Sequence, residues 1–134
     1  MHCTTLEIKA PRRGLHMITD QIRAALGHRI ENGLCHLFIC HTSASLCIQE
    51  NADPSASGDL ERFFEHLVPE NMPFYQHTHE GPDDMPSHIK SVLSDTQLTL
   101  PIRNGRLALG TWQGIYLWEH RDRPTTRKIH LTAH

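Results

Sequence analysis

Between Tyr75 and Lys90 the chain gathers His77, His79, Asp83, Asp84 and His88 around the expected start of a helix. Further upstream an apolar run stops at His41-Thr42-Ser43, and Glu50, Asn51 and Asp53 follow within a few residues. Imidazole titrates near neutral pH and is the commonest metal ligand, while a nearby carboxylate can orient it or share its metal. In a chain of 134 residues most positions must build a core and its cover, so this grouping beside element ends points to a site. For any single one of the 12 histidines a solvated surface position is the simpler reading, and only their grouping points to a site.

His88 is expected in the first turn of the third helix, where the dipole disfavours imidazolium and free amides suit a phosphate or carboxylate. His41 shares a strand face with Leu37 and Ile39, so it either caps the core or points into a cleft. Thr42 and Ser43 add hydroxyls and backbone donors at that corner, although no G-x-S-x-G elbow surrounds Ser43. His77 lies eleven residues before His88, which matches no compact zinc signature, so residue type alone allows a metal there. His79 reads as exposed, and Asp84 as an orienting carboxylate or a helix cap. Gln113 and Glu119 flank the apolar strip of Ile115 and Leu117; a buried Glu119 would need Arg127 or an imidazole as partner.

Composition narrows the classes. A hydrophobic fraction of 38% and a charged fraction of 21% describe one ordinary globular domain, residues 1–134. The formal net charge of -2 gives no basic footprint for nucleic acid, although Arg103, Arg106, Arg121, Arg123 and Arg127 leave room for a local anion pocket. No apolar run is long enough to span a membrane and no secretory leader is visible, so the expected compartment is the cytoplasm. Cys3, Cys35, Cys40 and Cys47 form no C-x-x-C pair and are expected to be reduced, with Cys35 and Cys40 buried and inert in a strand.

The elements that must position these groups follow from periodicity. Thr5–Ala10 alternates as a half-buried strand, and Pro11–Gly14 makes a turn. Ile18, Ile22, Ala25 and Leu26 mark a helix, with Thr19 as N-cap and Gly27 as its stop. Leu34–Cys40 reads as a central strand, paired with Ala44–Ile48 across the His-Thr-Ser corner. Asp53-Pro54 opens a second helix with Leu60, Phe63, Phe64 and Leu67 as its buried stripe. After an aperiodic stretch from Pro69 to Pro86, a short third helix turns Ile89, Val92 and Leu93 inwards. Thr96–Ile102 alternates, Asn104-Gly105 signals a hairpin, one long strand runs from Leu107 to His120, and Arg127–Thr132 closes the chain. Gly110 and Gly114 within that long strand suggest a bulge or a close approach. The expected class is α+β, a mainly antiparallel sheet arranged as a sandwich or pseudo-barrel with about three helices.

His41-Thr42-Ser43-Ala44-Ser45-Leu46, Glu50-Asn51-Ala52-Asp53-Pro54, Gly81-Pro82-Asp83-Asp84-Met85-Pro86-Ser87-His88-Ile89-Lys90 and Leu109-Gly110-Thr111-Trp112-Gln113-Gly114-Ile115 occur in that order. With these four motifs the chain closely resembles the YjbQ family, also called the secondary thiamine-phosphate synthase family. The resemblance implies a compact α+β domain, a homotrimer, a polar pocket near the subunit boundaries and a weak thiamine-phosphate synthase activity. It also implies that His41, His77, Asp84 and His88 line the pocket, with Gln113 and Glu119 nearby.

Residues and resemblance together give a first expectation: an enzyme for a small phosphorylated metabolite. His41, Asp84, His88 and Glu119 would be catalytic, and His41, His77 and His88 metal ligands. Thr42, Ser43, Asn51, Gln113 and Arg127 would hold substrate. The imidazole-rich set favours a zinc-type divalent metal over magnesium. A non-catalytic metabolite- or metal-binding regulatory module is the second expectation. A structural protein with incidental histidines is the third, and it requires that His41, His77 and His88 stay apart.

Overall fold

Period-two patterning dominates the chain, and the computed structural model, which describes all 134 residues, turns it into eight strands. They are β1 (His2–Ala10), β2 (Gly14–Met17), β3 (Gly33–Ile39), β4 (Ala44–Glu50), β5 (Gln97–Arg103), β6 (Arg106–Leu107), β7 (Gln113–Glu119) and β8 (Thr125–Ala133). Three helices join them: α1 (Thr19–Leu26), α2 (Pro54–Leu67) and α3 (Asp84–Leu93). Every strand pairing is antiparallel, in one sheet ordered β1-β8-β3-β5-β6 and another ordered β2-β7-β4. The class is α+β with three helices, as the periodicity predicts.

The two sheets share one core. Leu37, Ile39, Leu100, Ile129 and Leu131 come from the larger sheet, and Leu46, Ile115 and Leu117 from the smaller. Ile18, Ile22 and Leu26, at and within α1, pack into the same core. Each such side chain contributes roughly 1.5–3 kcal/mol by leaving water. A satellite cluster of Leu15, Tyr116 and Trp118 forms around Leu60 and Phe64 of α2. No helix is long and apolar enough to cross a membrane.

Several expectations change here, each for a physical reason. Asn104 and Gly105 do form a two-residue turn with φ of 52° and 75°, but the strand that follows is only β6. The chain then leaves the larger sheet and re-enters the smaller one as β7, with the Gly110 amide donating to Gln113 Oε1 at 2.8 Å across the gap. Alternation survives a change of sheet, so the sequence reads as one strand. Gly114 marks a close approach, because a Cβ there would lie 3.0 Å from that of Asn51. β3 and β4 do not pair with each other: β3 pairs with β5 and β8, β4 with β7, and His41-Thr42-Ser43 carries the chain between sheets.

The helices differ too. Ile18, not Thr19, caps α1, and the Thr19 hydroxyl instead accepts the Ile115 amide at 2.9 Å. Asp53 caps α2 as expected, accepting the Ser55 amide at 2.9 Å, but only Leu60 and Phe64 lean on the sheet while Phe63 and Leu67 stay exposed. α3 begins at Asp84, so His88 sits a full turn inside it. Its buried side carries Asp84, Ser87, Lys90 and Ser91, whereas Val92 and Leu93 face solvent. Cys35 points into the core and burial pushes its thiol up to about 11. Cys40 lies past the end of β3 and is exposed, contrary to the buried position expected for it; all four cysteines are free.

Candidate functional site

Asp84 opens α3 and His88 follows one turn later, which places both side chains on one face of the helix. His77 reaches the same point from the irregular segment before the helix. Asp84 Oδ2 lies 2.8 Å from His77 Nε2 and 3.2 Å from His88 Nε2, and the three ligand atoms lie within 4.8 Å of one another. Tetrahedral zinc with ordinary bond lengths holds its ligand atoms about 3.4 Å apart, so small rotations would suffice to enclose an ion.

The surroundings fix both ligand types. His88 Nδ1 donates to the Thr42 carbonyl at 2.9 Å, because a carbonyl oxygen can only accept. In a neutral ring, Nε2 then turns a lone pair towards a carboxylate oxygen, an arrangement that a proton or a metal cation must reconcile. Asp84 is itself braced: its Oδ1 accepts from Arg121 Nη1 at 2.8 Å, and Asp83 Oδ2 accepts from Arg121 Nε at 2.7 Å. Burial would raise the Asp83 carboxyl, but hydrogen bonds from Arg121 and the Asp122 amide outweigh it and hold it below the usual carboxylate range. The same contacts raise Arg121. An oriented His/Asp set backed by a carbonyl and a guanidinium is the arrangement that metal sites use around their ligands.

The other candidates fall elsewhere. His41 is not among the converging atoms; its Nε2 accepts the Lys128 amide at 2.8 Å, and burial followed by the Arg127 charge lowers its pKa. The ligand group is therefore His77, Asp84 and His88, rather than the expected His41, His77 and His88. Thr42 contributes its carbonyl rather than its hydroxyl, and the Ser43 carbonyl accepts from Arg127 Nη2 at 3.2 Å. Glu119 is fully buried and spans Arg127, with Nε 2.7 Å from Oε1 and Nη2 2.5 Å from Oε2. Thr125 and the Arg121 amide complete its contacts. Glu119 and Arg127 thus occupy each other, which answers the question of the glutamate's partner.

Asn51 donates to the Thr111 and Gln113 carbonyls at 3.0 and 3.2 Å, pinning the chain between the two sheets. Gln113 begins β7 and Glu119 ends it, roughly 20 Å apart at strand spacing. Asn51 and Gln113 therefore lie at the far end of β7 from the His/Asp group within one chain. The amides at the start of α3 are flanked by the Asp83 and Asp84 carboxylates, which disfavour a bare anion there. His79 is exposed.

Comparison with known proteins shows the family and the fold. The family described as "UPF0047 protein YjbQ-like" matches residues 4–134. The chain belongs to the YjbQ-like UPF0047 family. Among YjbQ-like relatives, protein sll1880 of Synechocystis is 51% identical over 96% of this chain and 88% of its own length. YjbQ of Escherichia coli O157:H7 is 50% identical over 96% and 94%. The crystal structure of TT1486 from Thermus thermophilus superposes with a TM-score of 0.86 at 36% identity, covering 96% of this chain and 98% of that one.

The sequence reading names Arg121 only among five arginines that could form an anion pocket, and misses that it braces the Asp83 and Asp84 carboxylates. The available signal is a charge two residues past a glutamate in an apolar strand, where strand alternation sends both inwards. It also misses Lys90 and His120, both buried, because each reads as an ordinary polar residue near an element end.

Proposed function

We propose that the protein is a metal-assisted enzyme acting on a small phosphorylated metabolite, with His77, Asp84 and His88 holding a zinc-type divalent ion. The observation that supports this reading is the convergence of two imidazole nitrogens and one carboxylate oxygen on a shared point, with His88 and Asp84 oriented from behind. Two imidazoles suit zinc better than magnesium, which prefers oxygen ligands and retained waters. Three protein ligands leave a coordination position open, the pattern of catalytic rather than structural zinc. A metal held there would supply a Lewis acid and a bound water of lowered pKa. The chain's own part is to hold His88 in one tautomer through Thr42 and to fix Asp84 through Arg121.

A thiamine-phosphate synthase side activity belongs to this reading, supported by the family resemblance. That reaction needs charge stabilisation of a departing pyrophosphate and a developing pyrimidine cation. A cytoplasmic homotrimer completes the proposal. The rival, a metabolite- or metal-binding regulatory module without turnover, draws on one observation: Glu119 and Arg127 are bound to each other, which removes an acid/base candidate and an anion candidate.

The deciding experiment is elemental analysis of untagged protein, paired with a screen for phosphate or pyrophosphate release from phosphorylated metabolites. Stoichiometric zinc with turnover that disappears in His88→Ala supports the enzyme. Zinc without turnover supports the module, and absence of metal affinity in direct titration removes the metal-assisted enzyme and the metal-binding form of the module.

A further inference from the structure

A cavity of about 600 Å³ has Arg13, Glu65, Lys90, Trp118 and His120 among its lining residues. It is distinct from the His/Asp group, since Lys90 leaves α3 two residues after His88, about 200° further round the axis. Lys90 is only 2% exposed and His120 only 1%.

The proton positions around His120 follow from a chain of polar contacts. His120 Nε2 lies 2.8 Å from Ser45 Oγ, which lies 2.6 Å from Ser94 Oγ, which lies 2.6 Å from the Lys90 carbonyl oxygen. A carbonyl only accepts, and each hydroxyl has one proton to give. The assignment that satisfies all of them runs one way. Ser94 donates to the carbonyl, Ser45 donates to Ser94, and His120 Nε2 donates to Ser45. His120 Nδ1 is therefore an unprotonated acceptor with no partner in the chain, on a ring that lines the cavity. Burial, then the charges of Lys90, Arg127 and Arg13, push this imidazole down to about 3, so it stays neutral.

One unmet donor accompanies this acceptor. Arg13 Nε is buried without a hydrogen-bond partner. Lys90 Nζ and Arg13 Nη1 both address Glu65, at 2.5 Å from Oε1 and 2.8 Å from Oε2. Glu65, on the exposed side of α2, is the carboxylate the two cations share, while Arg13 Nη2 also reaches Glu70 Oε1 at 3.3 Å and Asp122 Oδ2 at 3.8 Å; Glu65 sits where an external anion would. A buried donor without a partner is rare enough to need an explanation, and an acceptor open to the same cavity suggests what could supply one.

We propose that this cavity is a second binding site, for a small oxyanion that also carries an O–H, such as hydrogen phosphate or a protonated phosphate monoester. Arg13 and Lys90 hold the oxyanion in place of Glu65, and the ligand's O–H donates to His120 Nδ1. This site is independent of the metal reading.

The test is calorimetric titration of full-length wild type, Glu65→Gln and His88→Ala with inorganic phosphate and, separately, sulfate at pH 7. Sulfate has the same shape and no proton to donate. Removing the competing carboxylate is expected to tighten phosphate binding by about tenfold in Glu65→Gln. Phosphate should be preferred over sulfate, and His88→Ala should bind phosphate as wild type does. If Glu65→Gln does not fold, ¹⁵N spectroscopy of wild type replaces it, and phosphate should shift the His120 Nδ1 resonance while sulfate does not. No gain in Glu65→Gln, or an unmoved Nδ1 in the replacement experiment, overturns the site. Equal affinity for sulfate overturns the proton contact, and loss of binding in His88→Ala moves the anion to the metal group.

Discussion

His88 is held by the backbone of Thr42, 46 residues upstream, through a hydrogen bond of 2.9 Å from Nδ1 to the carbonyl oxygen. A corner between two sheets thereby sets the tautomer of a helix side chain. With Nδ1 committed, Nε2 is left to face Asp84 and His77.

The first prediction uses that constraint. His88→Ala should weaken zinc binding by more than the roughly 10–100-fold typical of losing a supporting group around a metal. His79→Ala, an exposed side chain, should leave affinity unchanged. Competition with a chromophoric chelator measures both, and equal affinities in the two variants would dissolve the proposed ligand set.

Acid should unfold the protein in a predictable window. Burial would raise the Glu119 carboxyl, but hydrogen bonds from Arg127, Thr125 and the Arg121 amide outweigh it, and Asp83 is held down against burial by Arg121. A carboxylate whose pKa is depressed by folding stabilises the folded state above its unfolded value and loses that contribution as pH falls through the folded value. The urea midpoint should therefore be flat above the ordinary values of 4.5 and 3.8 and fall below them. Glu119→Gln should cost about 3–5 kcal/mol at neutral pH, because Arg127 is left buried without its counter-charge. A loss below about 1 kcal/mol would mean that water reaches the pair.

Thiol labelling distinguishes the cysteines. Cys3 and Cys40 are exposed and should react with a maleimide in the native state, whereas Cys35 should react only on unfolding. Mass spectrometry of a timed reaction gives the order. Protection of Cys40 in the native assembly would place it under a subunit contact.

The outer face of the five-stranded sheet bears on assembly. Phe38 is 52% exposed and Leu34 38%, and both lie on β3 between β8 and β5. The Tyr116 and Trp118 face, by contrast, is already covered by α2, so it gives no reason for a partner. Light scattering should return a trimer mass, and Phe38→Glu should weaken the assembly, since an exposed apolar sheet face favours association. A monomer mass for wild type at micromolar concentration would end the trimer proposal.

Much of the fold was legible because alternation, caps and turn residues act locally. Asp53-Pro54 and Asn104-Gly105 mark their boundaries by side-chain and backbone chemistry that neighbours do not alter. What failed depends on distant partners. The break between β6 and β7 leaves the period of two intact, and the polar buried side of α3 arises from its packing beside Ser45 and Glu65. His77, Asp84 and His88 were legible as a site because two of them share a helix face. His41 was not separable from them, since the Lys128 amide that occupies it lies 87 residues away.

From Glu119 to Asp122, four successive residues serve four different neighbours. Glu119 faces Arg127, His120 faces Ser45, Arg121 grips Asp83 and Asp84, and the Asp122 amide returns to Asp83. In an extended segment a shift of one residue sends each side chain to the opposite face. Deleting a single residue here would place a carboxylate where a guanidinium is needed and an imidazole where a carboxylate is needed, and inserting one would place an imidazole where the guanidinium is needed. The stretch can therefore absorb a change of side chain more readily than a change of length. Its spacing, as much as its composition, carries the information.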